Sequence, residues 1–229
     1  MTYNISEIES FFSHYSPIGD IFTIEDVNYF ISSIDRHTVP KFTYDTGATK
    51  LVIIPKDRDY VIKIPFTGYY SDPFLEIEEC EKYFEFTGST GDIYNDYCSA
   101  ELNVYQKAIS QSLDFIFVPI TYINTIKGLS IYIQPKVDMY EQIDINLYSP
   151  SKKSIDKVIL YRQSFIFNNP LNMAPISWVA SLLDCVQTLE EYNKIQNFLS
   201  DVGIHDLHSG NVGYYQNKPV IIDYGSFHD

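Results

Sequence analysis

The stretch Gly203-Ile204-His205-Asp206-Leu207-His208-Ser209-Gly210-Asn211, followed after a turn by Val220-Ile221-Ile222-Asp223-Tyr224-Gly225, gathers the chemistry of this chain into two neighbouring loops. Asp206 and Asn211 stand five residues apart on the first loop. Asp223 leaves an apolar Val-Ile-Ile run that reads as a strand, and the glycine two positions later lets the backbone turn sharply. Carboxylate and amide oxygens so placed suit Mg²⁺, a hard cation that takes a few such oxygens and completes its shell with phosphate and water. His205 and His208, three apart, form a zinc-type pair, but no third soft ligand has the spacing to join them.

Working outward from these loops, Ile176 to Val202 reads as a long helix with a break near Thr188 and a stop at Gly203, and Ser154 to Phe167 as another helix. FIFVPITYI and LSIYIQP read as two strands around the turn Lys127-Gly128. Ser99 to Leu113 reads as a helix with a capping serine, carrying Leu102, Tyr105 and Ile109 on one stripe. Residues 71 to 97 are acidic and broken by Gly88, Gly91, Asp92 and Asn95, which predicts a loop-rich insertion with one short helix around Glu76 to Phe84. From Lys41 the runs KFTYDTG, KLVIIP and DYVIKIPF predict three antiparallel strands, with turns at Asp45-Thr46-Gly47 and Lys56-Asp57-Arg58-Asp59. Ahead of them, Ile5 to Tyr15 and Glu25 to Ile34 have helical periodicity, the second with Thr23 and Asp26 as a capping box. The order is helices, three strands, a helix, two strands, helices, then loops and a final strand over Pro219 to Ile222. A strand-rich half followed by a helix-rich half describes an α+β protein with two lobes.

Composition narrows the function classes. At 229 residues with 45% hydrophobic content the chain is long enough for a substantial core. Its formal charge of -14, without a lysine or arginine cluster, opposes binding to a phosphate backbone, so no nucleic-acid partner is expected. No apolar run reaches the roughly 18 to 20 residues that cross a bilayer, and the N-terminus lacks the pattern of a secretion signal. The expectation is no membrane partner and a cytoplasmic location. Cys80, Cys98 and Cys185 are an odd number without metal-type spacing, and read as reduced thiols.

The run Asp206-Leu207-His208-Ser209-Gly210-Asn211 resembles the catalytic loop of aminoglycoside and choline kinases, D-L-H-x-G-N, more than the D-L-K-x-x-N of typical protein kinases. Asp223-Tyr224-Gly225 resembles the D-F-G metal loop, and Tyr60-Val61-Ile62-Lys63-Ile64 resembles the V-A-I-K strand. The resemblance, to the protein-kinase-like superfamily, implies a two-lobed fold. An N-terminal helical extension (1–39) would precede an antiparallel N-lobe (40–138) and a reduced helical C-lobe (139–229). It implies ATP and Mg²⁺ as cofactors, Asp206 as the catalytic base that receives or orients an acceptor hydroxyl, Asn211 and Asp223 as metal ligands, and Lys63 as the phosphate clamp. The carboxylate partner of Lys63 is assigned to Glu101, since Glu101-Leu102-Asn103-Val104-Tyr105 resembles the E-x-x-x-Y pattern of the same families; Glu76, Glu79 and Glu81 compete for that place. Gly47 stands where the phosphate-covering loop lies, with Thr46, Ala48 and Thr49 in place of the other glycines. Ile204 replaces the usual histidine two residues before the catalytic aspartate. Four residues follow Gly225, so the resemblance is to a C-terminally truncated form without activation segment or A-P-E motif.

Three function classes stay open on the sequence. The first is a minimal phosphotransferase acting on an unidentified hydroxyl acceptor, a small molecule or a protein, with an AMP-transferring variant on the same scaffold. The second is a nucleotide-binding pseudokinase that serves as an interaction module with a protein partner; a virus- or phage-encoded protein acting on host machinery in the host cytoplasm would fit either. The third is a metal-dependent hydrolase built on His205, His208 and Asp223.

Overall fold

A computed structural model describes residues 4–12, 15–16, 24–35, 42–47, 49–65, 96–143, 148–164, 169–186 and 188–225. Thr23, Cys80, the helix expected at Glu76 to Phe84, and the competing carboxylates Glu76, Glu79 and Glu81 lie outside these residues. The described residues form a mixed α+β protein with a five-stranded antiparallel sheet, a three-stranded sheet and six α-helices. None of these helices is long and apolar enough to cross a membrane. The chain divides into two compact units, the first drawn from Met1–Leu102 and Ile120–Pro135, the second from Asn103–Pro119 and Lys136–Ser226.

The first unit is built on the sheet β1 (Phe42–Thr46), β2 (Lys50–Pro55), β3 (Tyr60–Pro65), β4 (Thr121–Ile126) and β5 (Leu129–Pro135), in the order β1-β2-β3-β5-β4. β2, β3 and β5 are near-continuous apolar runs because residues on both faces of the central strands are buried. Leu51, Ile53, Ile62, Ile64, Ile131 and Ile133 point to one face and form a single core with Ile8, Phe11, Phe12, Val27 and Phe30 of helices α1 (Ile5–Phe11) and α2 (Ile24–Asp35) and the residue after α1. Phe12 stacks on Phe30 at 5.5 Å, and Tyr15 meets the same ring edge-on at 5.1 Å. The N-terminal helices are thus part of the sheet's core. Two hairpin turns bind them further: Arg58 reaches Glu7 at 2.6 Å, and Lys127 donates to the Tyr15 carbonyl at 2.5 Å. Lys127 and Gly128 both have positive φ, as expected for the tight turn that joins β4 to β5. Helix α3 (Tyr97–Ser110) gives its first residues to this unit.

The second unit holds the rest of α3, helices α4 (Lys152–Ser164), α5 (Ile176–Cys185) and α6 (Leu189–Asp201), and the sheet β6 (Asp138–Met139), β7 (Val212–Tyr215), β8 (Lys218–Ile221), ordered β6-β7-β8. The long helical pattern is broken as its sequence indicates. Thr188 caps α6 by accepting the Glu191 N–H, while the Glu191 carboxylate accepts the Thr188 N–H in return. Gly203, at φ 70°, ends α6. Gln216 and Asn217 take positive φ in the two-residue turn between β7 and β8.

Phe115 to Pro119 is not a strand, contrary to the sequence reading. After a 3₁₀ turn at Asp114–Ile116, Phe117 makes one parallel bridge to Ile221, and its ring packs on Phe198 and Tyr224. Ile116, Phe117 and Val118 are apolar because all three are buried as the segment threads the core.

Candidate functional site

Two groups of sequence-selected residues are brought together, one in each unit. In the first unit the register pairs Val52 with Lys63 and Lys63 with Tyr132, so these three side chains share the face opposite the α1/α2 core. Lys50, two residues before Val52, is on that face as well. Glu101 of α3 meets them: Lys63 Nζ lies 2.9 Å from Oε2 and 3.2 Å from Oε1, and Lys50 Nζ lies 2.5 Å from Oε1. Glu101 is 0% exposed, Lys63 3% and Lys50 4%. Charged groups at that depth persist only when paired, so the cluster is a stringent structural requirement.

The position of α3 follows from its cap and its buried face. Asp96, rather than the expected Ser99, caps the helix, Oδ1 accepting the Ser99 N–H at 2.9 Å. Its other oxygen accepts the Tyr132 hydroxyl at 2.6 Å, which ties the start of α3 to the strand beside Lys63. Burial, and then that bond to Asp96, push the Tyr132 phenol far above its ordinary value. The buried face of α3 carries Cys98, Glu101, Val104 and Ala108, whereas Ile109 is exposed and Leu102 and Tyr105 are half-buried. The expected stripe of Leu102, Tyr105 and Ile109 is therefore rotated, because the ion cluster decides which side faces inward. Burial, then the charge on Glu101, push the Cys98 thiol up, so it is a protonated packing group.

In the second unit the Asp206 loop is held by hydrogen bonds that leave the Asp206 carboxylate uncommitted to them. Asn211 Nδ2 donates to the Asp206 carbonyl at 2.8 Å, and the Ile222 N–H donates to the Asn211 carbonyl at 2.8 Å, which sets the Asp223 loop beside the Asp206 loop. Below them, Tyr224 donates to the Val118 carbonyl at 2.6 Å, and the Val118 N–H donates to Ile221 at 3.0 Å. His208 Nδ1 accepts the Gly210 N–H at 3.0 Å, and Nε2 lies 3.7 Å from Asp206 Oδ2. A Cβ on Gly210 would come 2.9 Å from the His208 ring, which would have to swing aside. The Asp206 and His208 side chains are 79% and 55% exposed.

The donors present fit a hard cation. Asn211 commits its amide nitrogen to Asp206 and so presents Oδ1 as its acceptor, and half-buried Asp223 stands two residues past the buried end of β8. Among the described residues no three His, Cys, Asp or Glu side chains gather as a metal site, so the arrangement of His205, His208 and Asp223 as a zinc centre does not assemble there.

Gly47 donates its N–H to the Lys50 carbonyl at 3.1 Å in the β1–β2 turn, with open space around its Cα. Sequence reasoning missed Lys50, because a lysine between a turn and an apolar strand reads as solvated charge. Period-2 alternation held the signal: two residues before Val52, opposite Lys63, it had to share the Lys63 face. Gly213 was also missed. Trp178 donates to its carbonyl at 2.9 Å, and a Cβ there would lie 2.5 Å from the Asp138 carbonyl oxygen across the β6–β7 pair. No family model matches the chain, and no curated protein matches it significantly.

Proposed function

We propose that this protein is a kinase-like, ATP- and Mg²⁺-dependent phosphotransferase acting on a hydroxyl acceptor, with a two-lobed kinase-like fold. The observation that carries the reading is the buried Lys63–Glu101 pair at 2.9 Å, with the lysine on the third strand and the glutamate on the next helix. Three strands, a helix and two strands, with those residues in those places, is the layout that the motif resemblance implies for a nucleotide-binding lobe. Glu101 orients the Lys63 ammonium, and Lys63 neutralises the α- and β-phosphates as charge shifts in the transition state. Gly47 covers the phosphates with backbone alone. Asp206 aligns the acceptor hydroxyl for in-line attack and takes its proton, and its exposed side chain lets an acceptor reach it. Asn211 and Asp223 would hold the Mg²⁺, which supplies electrostatic neutralisation of the phosphates when bound.

Thermal unfolding with and without ATP and Mg²⁺ tests the binding half of this reading. A ligand at about 100 times its Kd stabilises the folded state by roughly 2.7 kcal/mol. No shift with any purine nucleotide at millimolar concentration rejects the nucleotide site. Incubation with γ-labelled and α-labelled ATP then tests the chemistry: transfer from the γ position supports phosphoryl transfer, and transfer from the α position supports nucleotidyl transfer. Binding without transfer of either label assigns the chain instead to an interaction module.

A further inference from the structure

Glu101 presents one carboxylate to two lysines from two different strands. The carboxylate is fully enclosed, so any displacement of its cation leaves a buried charge less compensated, and folded proteins resist that strongly. A phosphate clamp has to make such a displacement, because its ammonium must turn part of its hydrogen bonding toward the ligand. Lys50 removes the conflict. Its Nζ sits 2.5 Å from Oε1, while Lys63 is 2.9 Å from Oε2 and 3.2 Å from Oε1, so Lys50 holds Oε1 closely and Lys63 is centred on Oε2. Lys50 is carried by β2 and Lys63 by β3, so Lys50 can keep its shorter hold on Oε1 when Lys63 turns away from its own 3.2 Å contact with that oxygen.

We propose that Lys50 is a positioning residue for nucleoside triphosphate binding: it keeps Glu101 ionised and fixed so that Lys63 can engage phosphate oxygens. The inference rests on the nucleotide reading and adds to it a residue that acts through Glu101. It also accounts for a second buried lysine, which a plain structural ion pair would not need and which repels Lys63 at close range.

The experiment is calorimetric titration of the full chain with ATP and Mg²⁺, alongside denaturant unfolding of each variant. Lys50→Met is expected to weaken ATP binding about tenfold and Lys50→Arg to recover it to within about twofold, in the range that contacting residues show in mutant cycles. Ile53→Val, a trim in the core on the opposite sheet face, controls for lost stability and should bind ATP as the wild type does. Should Lys50→Met fail to fold, Lys50→Gln takes its place, with a donor toward Oε1 but no charge. Wild-type affinity in the neutral variant, or equal weakening in Lys50→Arg, overturns the role of Lys50 and leaves the nucleotide reading standing. Absence of ATP binding by the wild type overturns both.

Discussion

The buried ion cluster of the first unit and the exposed Asp206 loop of the second solve the placement of charged side chains in opposite ways. Lys50, Lys63 and Glu101 are enclosed, and their side chains are their own mutual support. Asp206 and His208 are largely exposed, and what fixes the loop spares the Asp206 carboxylate: the Asn211 amide donates to the Asp206 carbonyl, the Ile222 N–H to the Asn211 carbonyl, and the Gly210 N–H to the His208 ring. In the first case the atoms that support the fold are the ones to which the proposed function assigns chemistry. In the second they are separable, and mutagenesis should tell the two apart.

The largest loss is expected for Glu101→Gln. It leaves two buried ammoniums sharing a neutral amide, and breaking a buried pair by removing one partner costs about 3 to 5 kcal/mol. Hydrogen exchange along α3 and β3 checks this, with protection falling first where Glu101 was the anchor. Unchanged exchange there would mean that the cluster is not structural. Gly213→Ala should come next, since the added Cβ meets the Asp138 carbonyl oxygen at 2.5 Å and backbone cannot yield as a side chain can. Overpacking of this kind costs about 1 to 3 kcal/mol, and loosened protection of β6 and β7 is the readout. Tyr132→Phe removes the hydroxyl that Asp96 accepts at 2.6 Å, a bond to a carboxylate whose loss costs roughly 1.5 to 3 kcal/mol if the site stays dry and less if water enters. The start of α3 should fray, and any ATP affinity should fall with it; an unchanged exchange rate at Ser99 would break the link between Tyr132 and the helix.

These differences also explain what the sequence could reveal. The Lys63–Glu101 pairing was legible because a lysine in an apolar strand and a glutamate on the following helix are tied by order along the chain. The break at Thr188 and the stop at Gly203 were legible because capping is local chemistry. The inward face of α3 was not, since apolar periodicity selected Leu102, Tyr105 and Ile109 while a charged residue sets the orientation. Phe115 to Pro119 was misread for a related reason: periodicity does not separate a strand from a segment threaded through a core. The union of α1 and α2 with the sheet core is a long-range packing fact that no local pattern encodes.

The smallest structural effect, with the sharpest functional consequence, is expected for Asp206→Asn. The Asp206 side chain is 79% exposed, and the hydrogen bond that Asn211 makes in this loop goes to the Asp206 backbone carbonyl, which the substitution leaves in place. Its side chain lies 3.7 Å from His208 Nε2, in solvent, a pairing of the kind that contributes little. Stability should therefore stay within about 0.5 kcal/mol of the wild type, as for surface positions generally. On the phosphotransferase reading, ATP affinity should also hold while turnover falls about 10²-fold or more, because an aligned acid/base group is lost and the nucleotide contacts are not. Asp223→Asn supplies the contrast, since it should weaken Mg²⁺-dependent nucleotide binding together with transfer. If Asp206→Asn lowers stability as Glu101→Gln does, the loop is structural and the comparison collapses. If it keeps both stability and full turnover, Asp206 is not the base and the acceptor must be activated by another group.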